Sequence, residues 1–118
     1  MATPTPTPAE QWNAYMEAFA ATAPEERERL LQQSVAAGVV FTNPGGSGET
    51  RAALAAHIAD FQAKMPSMYF STDKLYLNQG ELLAVWGMYK ADHSRVATGY
   101  NFVRLDEDGR FSYMAGFF

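Results

Sequence analysis

The spacing of apolar residues changes period at Pro66. Before it, apolar side chains recur three and four residues apart, the repeat of one helix face; after it they alternate, the repeat of one strand face. A chain patterned this way cannot be all helix or all strand, and 118 residues suffice for one hydrophobic core but not two. The expectation is a single α+β domain, helices first and an antiparallel sheet after them.

Thr7-Pro8-Ala9-Glu10 reads as a capping box with proline at the first helical position, so a helix starts near Pro8. Trp12, Tyr15, Met16 and Phe19 then share its buried stripe, with Gln11, Asn13 and Glu17 on other faces. Thr22-Ala23-Pro24-Glu25 repeats the start signal for a second helix carrying Leu30 and Leu31; its run from Glu25 to Arg29 reads as a solvated face. Val35 to Thr42 suits a strand, although Ala36, Ala37 and Gly38 also suit a continuing helix. Asn43-Pro44 stops the segment, and Gly45 to Gly48 reads as a flexible loop. The third helix, Thr50 to Lys64, puts Leu54, His57, Ile58, Phe61 and Met65 on one stripe and closes at Pro66.

Four strands follow, over Met68–Leu77, Leu82–Ala91, Val96–Leu105 and Arg110–Phe118, joined by turns at Asn78-Gln79-Gly80, Ala91 to Arg95 and Asp106 to Gly109. Residues 1–7, alternating Thr and Pro, read as a disordered tail or equally as a trimmed or engineered leader, and 8–118 as the domain. The formal net charge is -4, and nine scattered Lys and Arg offer no basic patch, which argues against nucleic acid. There is no cysteine, and the two histidines lack spaced carboxylate partners, so no metal site and no cofactor are expected. No apolar run approaches the roughly 18 residues of a membrane span, and the start lacks a signal-peptide pattern, so a cytoplasmic protein with no membrane partner is expected.

Val40-Phe41-Thr42-Asn43-Pro44-Gly45, then Gly48 to Leu54, then Gly99 to Arg110 resemble, in order and spacing, the nuclear transport factor 2-like, or cystatin-like, α+β cone. Within it they look like the SnoaL-like polyketide cyclase and ketosteroid isomerase branch. The resemblance implies a sheet curled around a mostly apolar pocket, with three N-terminal helices on its concave side. It also implies a carboxylate base before the proline of the strand-turn segment, where this chain has Asn43, and a protonated carboxyl on the penultimate strand, where it has Asn101. Tyr15 is the nearest counterpart of the tyrosine that completes that oxyanion site. An amide cannot accept and return a proton near neutrality, so the carboxylate mechanism does not carry over. Asn101 and Tyr15 retain the ability to donate to a carbonyl or enolate.

His57 is the candidate general base if one exists, or else a helix-edge histidine satisfied by a carbonyl or water; His93 reads as a solvated loop residue and Asp60 as facing solvent. Trp86 and Met88 share a strand face with Ala84, expected to look into the pocket with Ser112, Met114 and Phe118. With Trp12, Phe19, Phe41 and Phe61 they are the expected ligand contacts, and plain core packing explains them as well. Tyr100, Phe102, Tyr113 and Phe117 make the opposite face aromatic enough to expect a homodimer through it. Three functional readings remain open here. One is a pocket protein for a mostly apolar, carbonyl-bearing or cyclic small molecule that it isomerises or cyclises; the others are a non-catalytic carrier or sensor, and a structural dimerisation domain.

Overall fold

The computed structural model describes residues 6–20 and 23–118. Most of the Thr/Pro segment, and Thr22 of the second start signal, lie outside the described residues. The elements are α1 (Pro8–Ala20), α2 (Pro24–Ser34), β1 (Val35–Asn43), β2 (Gly46–Glu49), α3 (Arg51–Lys64), β3 (Tyr69–Asn78), β4 (Glu81–Tyr89), β5 (Arg95–Leu105) and β6 (Phe111–Phe117). The six strands form one curved, unclosed sheet in the order β2-β1-β6-β5-β4-β3.

The helix starts follow the local chemistry. Thr7 and Glu10 cap α1 reciprocally, the Thr7 N–H donating to Glu10 Oε1 at 2.9 Å and the Glu10 N–H to Thr7 Oγ1 at 3.1 Å. Thr50 caps α3 by accepting the Ala53 N–H, and its own N–H donates to Val39 O at 2.8 Å, pinning the helix start to β1. Trp12 is fully buried and donates from Nε1 to Thr72 Oγ1 at 2.9 Å, which ties α1 to β3. The Ala36-Ala37-Gly38 stretch is strand, not helix.

Four readings need correction. Gly45 to Gly48 is no loose loop: Gly46–Glu49 is a strand in antiparallel register with β1, with Phe41 opposite Gly48. A Cβ on Gly48 would lie 2.9 Å from Phe41 Cζ, so the glycine is the bed on which the ring lies. Gln11 is not on an outer face but 1% exposed, because its Nε2 donates to Gln33 O at 2.8 Å and Gly109 O at 3.0 Å, satisfying two inward carbonyls. Met65 is 38% exposed; as the C-cap of α3 it has left helical geometry and the stripe with it. Ser112 turns away from the pocket and donates to Arg104 O, while Phe111 is the buried residue at the start of β6. A register shift between Arg104 and Leu105 displaces the alternation there by one residue.

The four-stranded meander forms as expected, but the early strand's partner is new: β1 runs parallel to β6, Phe41 facing Met114 and Thr42 facing Ala115. That pairing brings Asn43 beside the end of β6 and so assembles the open end of the sheet.

Candidate functional site

The helices and the concave face of the sheet enclose a cavity of ≈ 70 Å³. From α1 it is lined by Trp12, Tyr15 and Phe19; from β1 by Phe41 and Asn43; from α3 by His57 and Phe61. The sheet adds Trp86 and Met88 of β4, Asn101 of β5 and Met114 of β6, and Phe118 follows. All twelve sequence-derived candidates thus share one cavity wall. Met16, Thr42, Leu54, Phe70 and Gly116 also line it and were not singled out. Phe70 sits opposite Met88, but the register shift between Thr72 and Lys74 blurs the alternation that would have revealed it.

Eight Trp, Tyr and Phe rings line the wall. Phe70 meets Trp86 edge to face at 5.3 Å between centroids and Phe19 meets Phe61 likewise at 5.8 Å, while Trp86 and Phe118 are tilted at 5.6 Å. Phe118 is 59% exposed, so it stands at the mouth. No Asp, Glu, Lys or Arg is among the lining residues.

The polar groups are few and oriented. Trp86 Nε1–H donates to Asn101 Oδ1 at 3.0 Å, which aligns the amide and uses its oxygen. This bond depends on Gly99, which pairs with Trp86 across the strands: a Cβ there would fall under 3.0 Å from three carbons of the indole. At the other asparagine, Gly45 N–H donates to Asn43 Oδ1 at 2.8 Å and Asn43 Nδ2 lies 3.1 Å from His57 Nε2. His57 is therefore satisfied by a side-chain amide, a partner that neither sequence-based reading had supplied. Burial raises the Tyr15 phenol well above its ordinary value, so the hydroxyl stays a neutral donor across the physiological range. Asp60, as expected, is exposed, paired with Lys64 at 2.9 Å. His93 is exposed, meets the Tyr69 hydroxyl at 2.7 Å and is not among the lining residues. Among the described residues no group of three or more His, Asp or Glu could hold a metal, and no helix is long and apolar enough to cross a membrane.

Residues 12–114 match the family described as the SnoaL-like domain, which covers most of the chain. The chain belongs to the SnoaL-like domain family. Solved structures of this family and fold are similar to it throughout. A "putative isomerase of the SnoaL-like family" from Agrobacterium tumefaciens superposes with a TM-score of 0.86 at 25% identity, covering 91% of this chain and 92% of that one. An NTF2-like protein of unknown function from Exiguobacterium sp. 255-15 gives 0.73 at 16% identity, over 90% and 95%. A "putative polyketide cyclase" from Sinorhizobium meliloti gives 0.72 at 14%, over 90% and 92%. The last two likenesses are of fold. No curated protein sequence matches the chain. On the concave cavity of this SnoaL-like chain, positions 43 and 101 are amides.

Proposed function

We propose that this SnoaL-like protein binds a small, uncharged, mostly apolar molecule with a carbonyl group or ring oxygen, and that any turnover is an isomerisation or ring closure aided by polarisation. The observation that carries this is a wall of aromatic and aliphatic side chains without one formal charge, into which Asn101 and Tyr15 bring hydrogen-bond donors. An ionised ligand would lose its hydration there with no counter-charge to replace it.

A non-catalytic carrier or sensor is the second reading. It is favoured by the two amides, since neither can shuttle a proton, and by His57 Nε2 being engaged by Asn43. Native mass spectrometry of the freshly purified protein tests the common part of both: an adduct of small-molecule mass is expected, and Tyr15→Phe is expected to weaken its retention by roughly three- to tenfold. Retention indifferent to Tyr15→Phe would remove the hydroxyl from the site. Release of the adduct unchanged after long incubation would favour the carrier.

The same measurement addresses a homodimer through the outer sheet face, which belongs to this reading. Tyr100 and Phe117 stand opposite each other there and are 46% and 59% exposed. Tyr100→Glu is expected to turn a dimer into a monomer with its helical circular dichroism intact; a dimer that survives the substitution would place the interface elsewhere.

A further inference from the structure

Asn43, the last residue of β1, is held from two sides. Gly45 N–H donates to its Oδ1 at 2.8 Å in the turn that leads into β2, and its Nδ2 lies 3.1 Å from Nε2 of His57, midway along α3. The first bond decides the second. With the oxygen given to Gly45, the end of the amide that meets the imidazole is the NH₂, which can only donate, so Nε2 is the acceptor and the ring proton sits on Nδ1. The contact therefore exists for the neutral ring alone. An imidazolium carries a hydrogen on both nitrogens, so turning it over brings no lone pair to the amide. Flipping the amide instead would offer Oδ1 to the ring but leave Gly45 N–H facing an NH₂, so in either case one of the two bonds is lost.

Both residues line the cavity. The start of α3 is tied to β1 by Thr50 N–H on Val39 O at 2.8 Å and by Arg51 Nη1 on Val35 O at 3.1 Å, and the Asn43 amide holds the helix to the end of β1 about two turns further on. No nearby group offsets a charge on the ring. The lining residues carry none, and Tyr15, the other lining group that titrates, stays neutral because burial raises its phenol. The imidazole's aromatic neighbour is Phe41, 5.7 Å away between centroids. On α3 itself Asp60 is exposed and paired with Lys64. The elements packed on α3 carry Glu49 on β2, Glu10 and Glu17 on α1 and the run Glu25 to Arg29 on α2, while β1 has no charged residue. None of these forms an ion pair with His57. We propose that the Asn43–His57 pair is a pH-sensitive latch on the cavity: closed while the imidazole is neutral, and released on acidification, when the ring takes up a second proton, frees α3 from the turn after β1 and lets a bound small molecule go. The latch itself needs no ligand; its control of ligand release rests on the pocket reading above.

Nitrogen-15 spectra of the ligand-free protein test the latch directly. At neutral pH His57 is expected to show a protonated Nδ1 and a bare Nε2; the opposite tautomer would overturn the latch. On acidification the Gly45 amide and the Asn43 side-chain NH₂ are expected to shift with the same midpoint as the His57 ring, and resonances that stay put while the ring titrates would sink it. Asn43→Asp reverses the logic. A carboxylate accepts from Gly45 N–H and from Nε2–H together, so the ring proton is expected on Nε2 and the His57 midpoint at higher pH than in the wild type. An unmoved midpoint in that variant counts against the contact. For release, the small-molecule adduct retained after dialysis at about pH 5.5 is expected to be roughly tenfold less than at about pH 7.5 by native mass spectrometry. His57→Phe should abolish that difference, and His93→Gln should keep it, because His93 is exposed and not among the lining residues. Equal retention by the wild type at both pH values, or a difference that survives His57→Phe or vanishes with His93→Gln, overturns the gating role and leaves the pocket in place. Absence of an adduct at either pH would remove the pocket reading and the release step with it, while the ligand-free spectra decide the latch by themselves.

Discussion

Replacing Gly99 by alanine is expected to lower the thermal unfolding midpoint by roughly 10 °C, the equivalent of about 2–3 kcal/mol for a domain of this size. One methyl group has this effect because Gly99 lies beneath the Trp86 indole, and an added Cβ would sit closer to three ring carbons than real Cβ atoms do. The indole is not the flexible end of a long side chain. It is held at its face and edge by Phe70 and Phe118 and at its nitrogen by Asn101. To make room, Trp86 must swing toward the cavity, giving up the Asn101 bond and filling the space a ligand would use. The expected signature is therefore double: a lower midpoint in differential scanning calorimetry and loss of the hydrogen-bonded indole N–H resonance. Gly38→Ala is the control, since nothing lies within 4 Å of the added Cβ there. A Gly99→Ala protein that melted with the wild type would show that the indole does not need the glycine.

The second large effect is expected at Asn101. Asn101→Leu keeps the number and branching of heavy atoms but removes the oxygen that Trp86 Nε1–H uses, leaving a buried donor unpaired at a cost of about 1–3 kcal/mol. It also removes the free NH₂ from the cavity wall. Stability and binding should both fall, and the two losses have separate readouts: the calorimetric midpoint for the first, and for the second the retention of a small-molecule adduct in native mass spectrometry. Loss of stability with retention intact would make Asn101 a strut for Trp86 and nothing more. Retained stability together with retained adduct would contradict both of its roles.

These two positions illustrate what local pattern could reveal. Asn101 was reached through the family resemblance, as the position that matches the second carboxyl when counted back from the Asp106-Glu107-Asp108-Gly109 hairpin, whose register is a short-range property. Its bond to Trp86 was not, since strand alternation says which face a residue occupies and nothing about which neighbour it touches. Gly99 carried no signal at all, because a glycine's purpose here is set by the side chain lying over it on the next strand. The same holds for Gly48 under Phe41 and for Gly116 between the two asparagines. Gln11 was misplaced for a related reason: a polar residue off the apolar stripe reads as exposed unless its acceptors, Gln33 O and Gly109 O, are already known to be nearby.

The Asn43-Pro44-Gly45 turn shows where the division falls. Periods of 3.6 and 2, the capping box at Thr7 and the proline stops are properties of a few consecutive residues, and they were sufficient for three helices, the meander and the α+β class. That residue 43 belongs to the site came from the family resemblance. The tertiary structure alone joined β1 in parallel to β6, some seventy residues later, and laid α3 so that His57 reaches Asn43. Contacts closed over such separations depend on how the whole sheet curves and how the helices seat on it, and no local propensity encodes them. Whether Asn43 faces the cavity as an acceptor or a donor is decided by those contacts, Gly45 N–H on one side of the amide and the imidazole on the other.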